Sequence, residues 1–535
     1  MTEHSVHAAY SERLYNEDLA PAKQRRWGIY SIFALWMSDV HNLGNYTFAA
    51  GLFVIGLSAW QVLVSLLLGF TIIFVGMNWM GYAGQRTGVP FPVFSRLSFG
   101  VWGANIPALI RAVIAIAWYG IQTYLASVAI NVLLLKLAPG LTPLTEVTFL
   151  GLSALGWISF VALWFVQLLI LTRGIETVRR YQDWAGPIIW VVMLLLAVWL
   201  FVQAGGISLT QSIKPLSTGE TIRQILGGAV LTIATYATLM LNFCDFSRFT
   251  PSNRAIRVGN LLGLPINGTA FAVVAAIVTA GTIQVFGKAI TDPAEIIAKV
   301  PNPVILVLGA LMFAGATIGV NIVANFVSPA YDLANVWPKH INFQRGGMIS
   351  AVVAVLVLPW NLYSNPAVVN YFLGGLGAIL GPLFGIMMVD YYFVRRSRVV
   401  IEDLFRDDPS GSYYYRRGFN PRALWVFVPT ALISCVVALF PSFALAAPFS
   451  WFVGAGLAAV AYWFAMRRHP SLAHHEGVKD VRRTEGAMLS DLNSDSDGSE
   501  TKQNADASDQ HRDLFYGEED PLRSDDEIGP NRSEG

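Results

Sequence analysis

Long apolar runs recur along the chain, separated by short polar stretches. Read with a window of roughly 19 residues, they predict about twelve membrane-spanning helices. These lie near 28–57, 60–82, 104–135, 149–172, 184–204, 223–248, 260–286, 302–328, 346–363, 367–393, 422–440 and 446–466, and are numbered spans 1 to 12. About 20 apolar residues cross a roughly 30 Å hydrocarbon core. Span 1 is interrupted at its own middle. The apolar run from Trp27 to Met37 gives way to Ser38, Asp39, Val40, His41, Asn42, Leu43, Gly44, Asn45 and Tyr46, and resumes at Phe48. An acid, an imidazole and amides are costly in lipid and normally face a cavity or a partner. Gly44 tolerates backbone that is not helical. The pattern predicts a broken helix whose unwound centre lines a midplane site; the plainer alternative is polar contact between helices.

Other spans carry polar residues at helical spacing. In span 3, Trp118 and Gln122 are four apart and share a face. An indole can stack on a planar ring, and a carboxamide can read its edge with both a donor and an acceptor. Packing within the bundle accounts for the same pair equally well. In span 6, Asn242 and Asp245 share a face, and Asp245 is within reach of Arg248 as an ion-pair partner. Asn321 and Asn325 of span 8 share a face too, for a ligand or for a neighbouring helix. Arg111, inside span 3, is expected to snorkel toward the basic side. The Pro- and Gly-containing stretch from Gly88 to Gly100 reads as a turn or short surface helix. The small residues from Gly374 to Gly381 predict close packing in span 10, with a bend at Pro382. Spans 1 and 6 each open a set of five, and polar residues inside both point to an inverted repeat with corresponding broken helices. Span 6, however, has no Gly or Pro at its polar centre.

Composition agrees with a membrane protein: 54% of residues are apolar and 13% charged, against about 25% charged in soluble domains. The net charge of +1 gives no reason to expect nucleic acid as a partner; the expected partners are the lipid bilayer and a small molecule. Cys244 and Cys435 offer neither a disulfide framework nor metal spacing. The polar start, Met1 to Lys23, predicts no cleavable signal peptide. Lys23, Arg25 and Arg26 precede span 1, and alternate loops then carry most of the remaining Lys and Arg. Both termini are therefore expected in the cytoplasm, and the protein in a plasma or inner membrane. Residues 1–27 form a cytoplasmic N-terminal segment, 28–466 the transporter domain, and 467–535 a polar tail expected to be disordered.

Taken in order, these motifs resemble the nucleobase–cation symporter-1 family of permeases, which carry purines, pyrimidines, hydantoins, allantoin and some vitamins. The resemblance covers roughly residues 14–470. It rests on Leu14 to Pro21, Gly88 to Val93, Arg96 to Gly100, Trp118 with Gln122, Asn242 to Arg248, Asn321 to Asn325, Ser328 to Asp332, Gly381-Pro382 and Asp390-Tyr391. It implies an all-α polytopic protein with the five-plus-five inverted repeat of LeuT-type transporters and two further helices. It also implies that Trp118 stacks on the substrate, that Gln122 bonds to it, and that Asn325 contacts it. Tyr236 falls at a second stacking position, usually Trp, and Asn42 where sodium-coupled members place a substrate-binding Gln. One departure bears on coupling. Those members carry a Ser-Thr pair just before the first Asn of span 8; here Gly319 and Val320 stand there, without side-chain oxygens, which leaves backbone carbonyls of span 1 as the alternative ligands for sodium.

The resulting expectation is secondary active uptake of a planar heterocycle such as uracil, allantoin or hydantoin, by alternating access and without a cofactor. No phosphate-binding loop is present to make ATP the direct energy source. Protons are favoured over sodium as the coupling ion, carried by Asp39 and His41, since intramembrane ionisable groups commonly mark proton relays and an imidazole titrates near neutral pH. The alternatives are a channel or sensor without coupled transport and, more remotely, a membrane-embedded enzyme. The spans carry no HExxH motif or metal-ligand cluster that an enzyme would call for.

Overall fold

The computed structural model describes residues 10–467 apart from 42, 207–215, 289, 291–294, 297–298, 300–302 and 364–365. The expected tail therefore lies outside the described residues, as do the first nine of the N-terminal segment. Among the described residues, nine helices are long and apolar enough to cross a membrane: Ala59–Thr87, Asn105–Leu137, Ile175–Gln203, Thr218–Asn242, Asn253–Phe286, Val307–Val336, Gly377–Val394, Pro421–Leu439 and Ala447–Met466. Shorter apolar helices, Ile29–Val40, Ala154–Ile170 and Phe343–Leu356, fill the places of spans 1, 4 and 9.

Local chemistry sets several boundaries. Span 2 begins where the Ser58 backbone N–H donates to Gln61 Oε1 at 2.8 Å and ends at Gly88 in the left-handed region, where a Cβ would be disfavoured. Span 5 exposes Val191, Leu195, Val198 and Val202 along one side, an apolar stripe at helical spacing suited to lipid. Spans 10 and 12 approach closely, as the small residues predict. A Cβ on Gly381 would run into the Trp451 carbonyl oxygen, and one on Gly385 into that of Ala455.

The helices break where function needs irregular backbone, though not everywhere the sequence implies. Span 1 stops at Val40, passes His41 with φ −85° and ψ 59°, and resumes as Leu43–Val54. Span 6 does not break at Tyr236: Thr218–Asn242 runs through it, since no Pro or Gly lies between Ala229 and Asn242. Its interruption comes later, at Phe243, and a short turn, Cys244–Ser247, follows. Irregular turns also occur in span 7, where Leu262–Ile266 contains Pro265, and in span 8, where Asn321–Phe326 forms a π-helical turn. Such turns leave carbonyls without their usual partner and recur at functional sites.

Two further expectations are corrected here. The stretch after span 2 does form short helical turns, Phe91–Phe94 and Arg96–Phe99, but it is buried. Arg96, fully enclosed, donates to the carbonyls of Leu14 and Leu404 and to Asn335. Asp245 and Arg248 do not form an ion pair. Arg248 donates to the carbonyls of Asp18 and Ala20 and lies over the rings of Phe249 and Tyr331, which spreads its charge without a carboxylate. The N-terminal segment is thus tied across this end of the bundle, and Asp18 also caps Phe343 at the start of span 9.

Candidate functional site

The break in span 1 is held by its own side chains. Asn45 donates to the Val40 carbonyl at 2.9 Å, satisfying an acceptor that the end of a helix leaves open. The same amide donates to the Tyr236 hydroxyl at 2.6 Å. Tyr236 is 2% exposed and packs edge-on against Trp36 and Phe70. Its ring is therefore covered in this conformation, so stacking a ligand on it requires movement at the span 1 break.

Asp39 and His41, two residues apart, turn to different neighbours. Asp39 is buried and close enough to Tyr236 for their charges to interact. His41 lies against Trp190 and Phe271, with Nε2 2.9 Å from Asn267 Oδ1. That oxygen also accepts from Trp190, while the Asn267 amine donates to Gly263. The network therefore assigns the proton of neutral His41 to Nε2, and Nδ1 is buried without a partner. Asn42 lies outside the described residues.

Span 3 carries the residues most open to a ligand. From Ile114 to Thr123, Trp118 and Gln122 are the two that are not buried. Among the described residues, Gln122 has no hydrogen-bond partner. Span 3 meets the π turn of span 8 at this level: Asn321 donates to the Tyr119 carbonyl at 3.2 Å and to Thr123 Oγ1 at 3.0 Å, and the Tyr119 and Phe326 rings are 5.9 Å apart. Asn325 donates to Asn321 Oδ1 at 2.9 Å. Its own oxygen has no partner among the described residues and is not sealed in. Span 8 thus meets span 3 at Tyr119 and Thr123, each one position along the chain from Trp118 and Gln122, with Asn325 bonded to the Asn321 that makes this contact, while Tyr236 lies against Asn45 of span 1.

Sequence reasoning missed two parts of this site. Arg111 does not snorkel; it is fully buried. Its Nη2 donates to the Ala324 carbonyl at 2.6 Å, inside the π turn, and its Nε to Asn242 Oδ1 at 3.3 Å. Asn242 in turn donates to Asp245, which also accepts from the Phe91 amide. The guanidinium is held inside because it meets a freed carbonyl and the charges of Asp332 and Asp245. An arginine well inside an apolar run was the available signal. The second missed residue is Gln167 of span 4, bonded to Asn321 at 2.9 Å; a lone amide in a span gave little to single it out.

The place of the missing Ser-Thr pair is also visible. A Cβ on Gly319 would sit 3.3 Å from Ser38 Cβ and 3.5 Å from the Ser38 carbonyl oxygen. Span 8 therefore abuts span 1 here with no hydroxyl at either 319 or 320. The Ser38 hydroxyl points away, toward the Gln182 carbonyl. The side chains do not fit a sodium site that relies on two hydroxyls from this turn.

Comparison with known proteins bears on the family and the fold. A family model described as permease for cytosine/purines, uracil, thiamine and allantoin matches residues 20–462. The chain is 40% identical over 465 residues to an allantoin permease of Bacillus subtilis (strain 168), covering 86% of this chain and 94% of that one. It is 32% identical over 442 residues to a purine-uracil permease of Arabidopsis thaliana, covering 81% and 72%. Among solved structures it is similar to Mhp1, a nucleobase-cation-symport-1 family transporter, in a closed conformation with bromovinylhydantoin bound. The TM-score is 0.70 at 24% identity, over 86% of this chain and 99% of that one. MhsT in complex with L-phenylalanine gives 0.52 at 11% identity, over 82% and 100%. These likenesses show the fold, a LeuT-type helical membrane protein.

Proposed function

We propose that this chain, which belongs to the family of permeases for cytosine/purines, uracil, thiamine and allantoin, takes up a small planar heterocycle by proton-coupled symport. The observation that carries the reading is the junction of spans 3 and 8. Trp118 and Gln122 stay open on an otherwise buried stretch of span 3, and Asn325 on the facing turn has an oxygen with no partner among the described residues. An indole face and two carboxamides suit a ring that carries a lactam or urea edge. Uracil and its relatives, allantoin and hydantoin all fit that description, and the 40% identical relative is an allantoin permease.

In this reading Trp118 stacks on the ring, Gln122 and Asn325 bond its edge, and Asn42 and Tyr236 close on it from span 1 and span 6. Closure and opening exchange access between the two sides of a plasma or inner membrane, with both termini cytoplasmic by the Lys/Arg bias. Gly319 and Val320 supply no side-chain oxygen for sodium, which favours protons over sodium held by backbone carbonyls. Asp39 and His41 are the groups available to carry them: both are buried at the break, and the bare Nδ1 of His41 can accept one.

Purified protein in proteoliposomes, loaded with no substrate and given radiolabelled allantoin or uracil, tests the substrate class. Nucleobases, hydantoin, allantoin and thiamine serve as unlabelled competitors. Saturable uptake that at least one ring suppresses, and whose apparent affinity Trp118→Ala weakens while the protein still reaches the membrane, is the expected result. Uptake indifferent to every ring, or to Trp118→Ala, would overturn the reading.

A further inference from the structure

We propose that Gln167 and Thr123, set behind the site on spans 4 and 3, are positioning residues that fix which end of the Asn325 amide faces the ligand. They thereby make the transporter select a ring with an N–H at that point. The proposal rests on Asn325 being a ligand contact.

A carboxamide can be turned over without a change of shape, and only its partners decide which end is oxygen. Here main-chain carbonyls decide. The Leu163 carbonyl can only accept, so the Gln167 atom 3.2 Å from it is Nε2. Gln167 Oε1 is then left to accept from Asn321 Nδ2 at 2.9 Å. The same Nδ2 is 3.2 Å from the Tyr119 carbonyl, another obligate acceptor. Thr123 donates its hydroxyl proton to Tyr119 at 2.7 Å, so its oxygen accepts from Asn321 at 3.0 Å and from Gln167 at 3.2 Å. Every polar neighbour of Asn321 Nδ2 is an acceptor. Asn321 must therefore turn Oδ1 toward Asn325, which donates to it at 2.9 Å. Gln167 is 1% exposed, and Thr123 and Asn321 are fully buried. Water cannot easily substitute for a lost partner at such depth.

Asn325 thus commits an amide hydrogen to Asn321 and presents its oxygen outward. An acceptor calls for a donor on the ligand. A ring N–H satisfies it; a methylated nitrogen, or a carbonyl in the same place, leaves an oxygen unpaired or opposes two lone pairs. A site built this way rejects analogues that lack the group.

The test compares hydantoin and uracil with their mono-N-methyl isomers as competitors of uptake. In wild type, one isomer of each ring that competes should lose affinity by on the order of tenfold or more, the scale of leaving a polar atom unpaired, while the other isomer loses less. Gln167→Leu combined with Thr123→Val removes two of the three acceptors that orient Asn321 and leaves only the longest, the Tyr119 carbonyl at 3.2 Å; the Asn325 amide is then less firmly set, and discrimination should shrink even where the parent ring still binds. Wild type that tolerates every N-methyl isomer overturns the proposal without any variant being needed. Variants that bind all analogues more weakly but keep the same ranking also overturn it, because a purely structural role moves affinity and not selectivity. If the parent rings fail to compete in wild type, the underlying reading of the substrate class falls as well, so the two failures are separable.

Discussion

Replacing Arg111 with Met keeps most of the side-chain volume, so the loss is electrostatic rather than one of packing. The guanidinium is fully buried and bonds the Ala324 carbonyl at 2.6 Å and Asn242 at 3.3 Å. Losing a bond from a charged donor costs about 1.5–3 kcal/mol. Removing one partner from a buried charge cluster costs about 3–5 kcal/mol, because the remaining charge is left uncompensated. Asp332 and Asp245 feel the guanidinium electrostatically without an ion pair to it among the described residues, so the second figure is an upper bound; Asp332 Oδ1 also lacks a hydrogen-bond partner among the described residues. The two costs describe overlapping losses and do not add, so the expected destabilisation is about 1.5–5 kcal/mol. For a chain this long, with an unfolding entropy of roughly 1 kcal/mol/K, that lowers the melting midpoint by about 1.5–5 °C. The assay is thermal unfolding of the detergent-solubilised protein, followed by tryptophan fluorescence. A companion variant gives the diagnostic: Arg111→Met combined with Asp332→Asn removes the orphaned charge and should recover much of the loss. Charge compensation by Arg111 is ruled out if Arg111→Met melts with wild type, or if Asp332→Asn deepens the loss in the Arg111→Met background.

Three further outcomes are expected. Trp118→Ala should weaken binding of the best competitor by about 1 kcal/mol or more, roughly fivefold upward, while Trp118→Phe keeps part of it; equal affinities across the three proteins in a competition assay would remove the stacking role. Asn45→Ala removes bonds to both Val40 and Tyr236, whereas Tyr236→Phe removes one, each worth about 0.5–1.5 kcal/mol. Asn45→Ala should therefore melt lower than Tyr236→Phe, and the double variant should lose less than the two together; strict additivity would show the pair uncoupled. Gly385→Val places a side chain against the Ala455 carbonyl oxygen, while the Cβ of Gly375→Ala would meet Leu439 at an ordinary 3.5 Å. Gel filtration should show loss of monodisperse protein for the first and not the second.

The spans were legible because lipid demands length and apolarity, and both are local properties of the chain. The span 1 break was legible for the same reason in reverse: Asp39, His41 and their neighbours contradict an apolar run. The π turn at Asn321–Phe326 was not, since no Pro or Gly marks it and it is set by contacts with Arg111, Tyr119 and Thr123 on another span. Arg111 was misread because exposure of a long cation depends on which acceptors the fold brings within reach, and the Ala324 carbonyl becomes available only once that turn forms. Trp118 with Gln122 could be paired from spacing alone, but only the fold shows both to be open. Nothing in the sequence separated the surroundings of Asp39 from those of His41, because a broken helix has no fixed angle per residue. Gln167 was invisible for a similar reason: an amide's partners, and hence its direction, are tertiary facts.

Coupled uptake of a planar ring is tested most directly by imposing single gradients on the purified protein. Proteoliposomes receive a radiolabelled ring with an inward pH gradient and no sodium, and in parallel with a sodium gradient at equal pH. Accumulation above equilibrium is expected in the first case, lost when the pH gradient is collapsed and reduced in Asp39→Asn or His41→Gln. Accumulation driven by sodium alone would contradict proton coupling. Equilibration without accumulation under either gradient would contradict symport itself.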